Sequence, residues 1–201
     1  LKRTKMKLAI TTLLISVLGL STIAQNTTNQ KTKMSKKTSY IKQAIEVTGK
    51  TTAFTEIIIN ASPEVVRAKF LDFKKWSDWN TVFPKISVKK GNINDLTTKP
   101  TLDLVINFGR KNDPAPAPVN PKVYENSPEV FFWGVNWGLL KAEHVHIFES
   151  IDAGKKTRFI NYEKMSGLMK GLVMKPAMRE NMVVKYNTMN TAFKKYCEVS
   201  K

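Results

Sequence analysis

The chain has 201 residues, 42% of them hydrophobic and 9% aromatic, and a formal net charge of +17 at pH 7. That composition suits one globular domain with tails, and the single cysteine, Cys197, excludes an intramolecular disulfide and a cysteine-based metal cluster. Nucleic acid is not the expected partner, because only five of the 33 basic residues are arginine, the residue that base and phosphate readout favours. The scattered lysines instead suit a solvated surface with a weak attraction to an anionic membrane.

The chain opens on Lys2, Arg3, Lys5 and Lys7, an apolar run from Leu8 to Leu20, and the small-residue stretch Thr22-Ile23-Ala24. This is the pattern of a signal peptide spanning residues 1–24, with cleavage expected after Ala24 and the mature protein exported to the periplasm or the exterior. The apolar run is shorter than the roughly 20 residues a spanning helix needs, so removal is favoured over retention as an anchor. Taking away its four basic residues leaves 29 against 16 acids, a net +13. Residues 25–52 are rich in Thr, Asn, Gln and Lys and read as a flexible polar spacer. The folded domain is expected over residues 53–199.

Phe54 to Asn60 is a β-rich run. Ser62-Pro63-Glu64 supplies a helix cap, a first helical position and an acid in the first turn, so a short helix runs to about Leu71, and Asp72 opens a second short turn carrying Phe73 and Trp76. Ile86 to Lys90 and Leu102 to Phe108 read as strands. Four prolines between Gly109 and Pro121 predict an extended surface loop. Lys122 to Glu125 and Glu129 to Trp137 are two further strands, the second placing Trp133 and Trp137 on one face by parity. From Leu168 the spacing turns helical: Leu172, Met182, Tyr186, Met189, Phe193 and Cys197 form an apolar stripe, and Pro176 marks where the long helix starts or kinks. About seven strands and one long terminal helix make an α+β architecture.

The stretch Ala142 to Gly167 carries the most chemistry. Two alternating runs flank Asp152-Ala153-Gly154-Lys155, a turn sequence. A two-residue loop at Ala153 and Gly154 pairs Ser150 with Thr157, Phe148 with Phe159, His146 with Asn161, and His144 with Glu163. The only two histidines then share one sheet face, with a carboxylate opposite His144. Both faces mix apolar and polar residues, so alternation alone does not say which one is interior. Two histidines fall short of the three or four ligands that zinc requires, and neither a metal nor a cofactor is expected.

Particular residues resemble those of the SRPBCC superfamily, in its polyketide cyclase/dehydratase-like and lipid-transport-like branch. They are Ile59 to Val66, Leu71-Asp72 with Trp76 and Trp79-Asn80, Pro121 to Val123, Trp133, Glu143-His144, Glu163 with Gly167, and Asn190 to Lys195 with Glu198. The resemblance implies a START- or Bet v 1-like helix-grip fold, a curved antiparallel sheet wrapped round the C-terminal helix, with two short helices after the first strand. It also implies an apolar cavity between sheet and helix. On that pattern His144, His146, Phe148, Phe159, Asn161, Glu163 and Met165 face the helix, while Val145, Ile147, Ile160 and Tyr162 face away. Trp133 and, from the helix, Met182, Tyr186 and Met189 complete the expected lining. His146 stands where related sequences often carry an apolar residue.

This reading favours an exported, non-catalytic binder or carrier of a hydrophobic small molecule, lipid or polyketide-like. The first alternative is a cyclase, dehydratase or hydrolase using His144 and Glu163 as an acid/base pair, since an imidazole beside a carboxylate in a low-dielectric cleft titrates as a coupled unit near neutrality. The second is an electrostatic membrane-surface protein. Oligomeric state and ligand identity are not legible in the chain.

Overall fold

Ser62 has extended backbone angles and Pro63 occupies the first helical position, so helix α1 (Pro63–Leu71) begins where the chain leaves strand β1 (Thr52–Ile59). The structure is a computed structural model that describes residues 52–107 and 118–199; the expected leader, nearly all of the spacer and most of the proline-rich loop lie outside the described residues. After α1 comes a 3-10 helix (Phe73–Asp78) and then β2 (Lys85–Lys90), a 3-10 turn (Leu96–Thr98), β3 (Thr101–Val105), the two-residue β4 (Pro118–Val119), β5 (Lys122–Asn126) and β6 (Val130–Asn136). The hairpin β7 (Lys141–Ile151) and β8 (Lys156–Ser166) follows, and helices α2 (Lys170–Val173) and α3 (Pro176–Glu198) close the chain.

The strands form one antiparallel sheet in the order β1-β8-β7-β6-β5-β3-β2, with β4 paired to β3. Helix α3 packs on β1 and α1 packs on β7 and β8. The helix-grip architecture expected from the resemblance is therefore the observed one.

Hairpin register follows the turn. Lys155 N–H donates to the Asp152 carbonyl at 3.0 Å, and both central residues, Ala153 and Gly154, have positive φ, 52° and 86°. Such a turn matches the twist of the flanking strands, which fixes pairing one residue at a time. Ser150 meets Thr157, Phe148 meets Phe159, His146 meets Asn161 and His144 meets Glu163.

Three expectations shift. Trp137 falls beyond the end of β6 and is 54% exposed, because Gly138 N–H bonds back to Asn136 Oδ1 and turns the chain before strand parity reaches it. Leu172, assigned to the long helical stripe, lies in α2 and is 67% exposed. Pro176 starts α3 as a separate axis, so residues before it do not share that helix face. Strand β3 stops at Val105, and Asn107 N–H instead donates to the Val82 carbonyl at 2.8 Å.

Val145, Ile147, Ile160 and Tyr162, on the face away from α3, are also buried. The middle of β7 and β8 is thus buried on both faces, which is why alternation could not separate them. On the inner face Phe70 is the hub. Its ring contacts Trp76, Phe131, His146, Phe148, Phe159 and Phe193 at centroid distances of 4.6 to 5.9 Å.

Candidate functional site

The sheet arranges the interior side chains in rows that cross the strands. One row runs Val123, Trp133, His144, Glu163, Ala53; the next runs Phe131, His146, Asn161, Thr55; a third runs Phe148, Phe159, Ile57. Period-two alternation puts every member on the face toward α3. From α3, Met182, Tyr186, Met189 and Asn190 come down on these rows at three- and four-residue steps. Every residue expected to line the interior is buried: Trp133, His144, His146, Phe148, Phe159, Asn161, Glu163, Met165, Met182, Tyr186 and Met189.

Register and hydrogen bonding part company at the central pair. His144 and Glu163 are direct cross-strand neighbours, yet each finds its partner elsewhere. His144 Nε2 meets Asn161 Oδ1 at 2.5 Å, and the Tyr186 hydroxyl donates to Glu163 Oε2. His146 Nδ1 meets the Phe131 carbonyl at 3.3 Å. Behind Asn161 a second chain of polar groups ties three elements together. Asn161 Nδ2 donates to Asn190 Oδ1 at 3.4 Å, Asn190 Nδ2 donates to Thr55 Oγ1 at 3.0 Å, and the Thr55 hydroxyl donates to the Asn161 carbonyl at 3.1 Å.

Burial dominates the electrostatics. It pushes the Glu163 carboxyl up to about 7, against the hydrogen bond from Tyr186, which favours the charged form. It pushes the His144 imidazole down to about 4, against the bond to Asn161. His146 lies well below its usual value, through burial and then the neighbouring His144 ring. At neutral pH both imidazoles are neutral and Glu163 is poised between its two states.

Aromatic rings surround this polar set. His144 and His146 stack with centroids 4.4 Å apart, and the Trp133 indole lies 4.8 Å from His144 and 6.2 Å from His146. Phe83, from the segment between the first 3-10 helix and β2, caps them. Its ring is 5.5 Å from His144, 5.7 Å from Trp133 and 6.3 Å from Tyr186. Asn80 holds that segment by accepting the Val82 and Phe83 N–H groups on Oδ1. Three buried polar atoms on these adjoining rings have no hydrogen-bond partner: Trp133 Nε1, His144 Nδ1 and His146 Nε2. Orphaned groups of this kind are rare in protein interiors and call for a reason.

Phe83, Thr55, Asn190 and Phe70 were not anticipated as site residues. Asn190 had a legible signal, one turn after Tyr186 on the α3 stripe. Thr55 faces Asn161 only through the β1–β8 pairing, and Phe83 sits in a segment with no periodicity to read. Among the described residues no three His, Cys, Asp or Glu side chains cluster as a metal site would need, and no helix is long and apolar enough to cross a membrane.

A second concave region lies outside the sheet–helix sandwich. It is a groove of about 940 Å³ between α1, the first 3-10 helix and the C-terminal turns of α3, lined by Val65, Lys69, Trp79, Tyr196, Cys197 and neighbours. Its charged groups are largely engaged: Lys69 Nζ donates to the carbonyls of Tyr196 and Cys197, and Glu198 accepts from Asn60 N–H and Lys194. Burial pushes the Cys197 thiol up to about 12.

Comparison with known proteins follows the same lines. The family described as polyketide cyclase / dehydrase and lipid transport matches residues 50–198. Among solved structures, a START superfamily protein from Mycobacterium smegmatis shares 14% identity at a TM-score of 0.57, over 74% of this chain and 97% of that one. A hypothetical protein from Helicobacter pylori shares 16% at 0.56, over 78% and 94%. The Zhui aromatase/cyclase from a Streptomyces species shares 9% at 0.54, over 73% and 93%. At these identities the likeness is one of fold. No curated protein matches the chain in sequence.

Proposed function

The chain belongs to the polyketide cyclase/dehydrase and lipid transport family, and from that premise we propose that it binds a hydrophobic small molecule between the sheet and α3, with the molecule's polar end at Trp133, His144 and His146. The family and the fold go with handling hydrophobic small molecules. The observation that carries the reading to this chain is that three adjoining buried rings each keep an unpartnered polar atom. A ligand that brings matching polar atoms relieves their desolvation cost, while its body replaces ring contacts with ring contacts. Phe83 stands over the cluster, so admission requires that ring to move aside. Met165, Met182 and Met189 supply a wall that re-packs without strain.

The test is titration with N-phenyl-1-naphthylamine, a neutral apolar fluorophore, alongside native mass spectrometry for copurifying molecules. Saturable one-to-one binding that weakens in Trp133→Phe and His144→Phe, and survives Val65→Glu in the outer groove, supports the interior site. Binding lost in the groove variant and kept in the interior ones overturns it.

One observation favours a second reading, acid/base catalysis of the cyclase or dehydrase type. Glu163, with its carboxyl near 7 and the Tyr186 hydroxyl on it, is suited to passing a proton at neutral pH. His144 then acts as a neutral hydrogen-bonding group, because its bond runs to Asn161 rather than to Glu163. Turnover of a substrate abolished in Glu163→Gln with binding intact would favour this reading over pure carriage.

We also assign the binding to an exported protein, on the strength of the basic, apolar and small-residue pattern of residues 1–24. Cell fractionation with N-terminal sequencing tests it; a mature chain beginning after Ala24 outside the cytoplasm is the expected result.

A further inference from the structure

The interior polar groups differ in which can donate and which can only accept, and the backbone decides the matter. The Asn161 carbonyl has lone pairs alone, so the hydrogen of Thr55 is committed to it. Thr55 Oγ1 is thereby left to accept, which aims the amide nitrogen of Asn190 at it and turns Asn190 Oδ1 toward Asn161. Asn161 must meet that oxygen with its own Nδ2, so its Oδ1 faces His144. A carbonyl-type oxygen on Nε2 requires that nitrogen to carry the proton. A neutral imidazole has one N–H, so His144 Nδ1 is a bare lone pair. His146 is set in the opposite sense by another backbone carbonyl: Phe131 O requires the proton on Nδ1, which leaves Nε2 bare.

The three orphaned atoms are therefore two acceptors, His144 Nδ1 and His146 Nε2, and one donor, Trp133 Nε1–H. All three residues are at least nine-tenths buried, and their rings touch one another. Building on the interior reading above, we infer that the site selects a ligand whose polar end is a neutral hydrogen-bond donor of hydroxyl type, and that Thr55, Asn190 and Asn161 are positioning residues that enforce this choice through the tautomer of His144. A hydroxyl donates to an imidazole nitrogen and accepts from the indole; a second hydroxyl satisfies the other imidazole. A carboxylate or phosphodiester only accepts: it meets the indole, and sets lone pair against lone pair at two rings that burial keeps uncharged. An ether meets the indole and nothing else. The interior thus discriminates against acid-headed lipids and in favour of neutral hydroxylated aromatic or alicyclic molecules.

Two measurements on the full domain test this. Long-range proton–nitrogen correlation spectra of the ring nitrogens are expected to show His144 protonated at Nε2 and His146 at Nδ1. Titrations with 2-naphthol, 2-methoxynaphthalene and 2-naphthoate at neutral pH are expected to rank naphthol at least about tenfold above the other two, the scale on which a buried group left unpaired is felt. Thr55→Val removes the origin of the relay and is expected to narrow that ratio several-fold while the fold is retained, a result that lost packing alone would not give. His144 protonated at Nδ1, naphthoate binding as well as naphthol, or an unchanged ratio in folded Thr55→Val overturns the inference and leaves apolar binding in the interior standing. Failure of all three probes to bind overturns the interior binding site itself, and the inference with it.

Discussion

The interior cluster and the outer groove share helix α3 and a wall of aromatic rings, yet they are opposites. The groove offers about 940 Å³ of space, and its charges are largely engaged: Lys69 caps the last carbonyls of α3, and Glu198 is held by Asn60 N–H and Lys194. Only the Trp79 indole N–H is left over there. The interior is lined by rings, and it leaves three polar atoms unsatisfied on adjoining side chains. One leftover donor beside open space is a weak demand; three unmet groups on adjoining buried rings are a strong one. The contrast argues for looking at hydrogen-bond demand before volume when a fold of this type is searched for its ligand.

Substitutions can break that contrast. Phe70→Ala is the largest, because it removes the ring on which Trp76, Phe131, His146, Phe148, Phe159 and Phe193 all converge. A loss of about 3–5 kcal/mol in urea denaturation is expected. A loss under about 1 kcal/mol would mean the interior is already loose.

Glu163→Gln comes next and depends on pH. Folded Glu163 holds its proton up to about 7, where an unfolded glutamate releases it near 4.5. Between those values the folded chain binds the extra proton, so this group's contribution to stability falls as pH rises. The glutamine variant, which keeps the shape without the charge, is expected to exceed the parent by about 1–3 kcal/mol near roughly pH 8 and to equal it near roughly pH 4.5. The two histidines are common to both proteins, so their opposite dependence cancels in the difference.

Lys69→Met probes the groove. It removes two hydrogen bonds to the last turn of α3 and a cation at the negative end of the helix. About 0.5–1 kcal/mol is expected, read by thermal denaturation, with probe binding unchanged. Val65→Ala is smallest: the side chain is 45% exposed, and a change within about 0.5 kcal/mol is expected. Probe binding that follows the two groove variants rather than the interior ones would reverse the comparison.

Much of the fold was legible because local rules decide it. The Asp152–Lys155 turn sets pairing one residue at a time, so four cross-strand pairs, His144 with Glu163 among them, follow from residue order and the turn. Ser62-Pro63 and Pro176 mark helix starts for steric reasons that act within one turn. Reading failed where a neighbour outside that range intervened: the turn at Gly138 took Trp137 out of its strand, and Pro176 cut Leu172 from the α3 stripe.

For the site the division is sharper. By itself the chain determined which residues share a row and a face, because period two and the α3 stripe are properties of order alone. Only the tertiary structure decided what those residues do to one another. His144 takes Asn161 rather than Glu163, because Asn190, itself oriented by Thr55 from β1, arrives from α3 and engages the Nδ2 of that amide, which leaves its Oδ1 for the ring. Glu163 takes the hydroxyl of Tyr186, which α3 brings to it. Hydrogen-bond partners and protonation states depend on direction and burial in three dimensions, and residue order does not encode them one turn at a time.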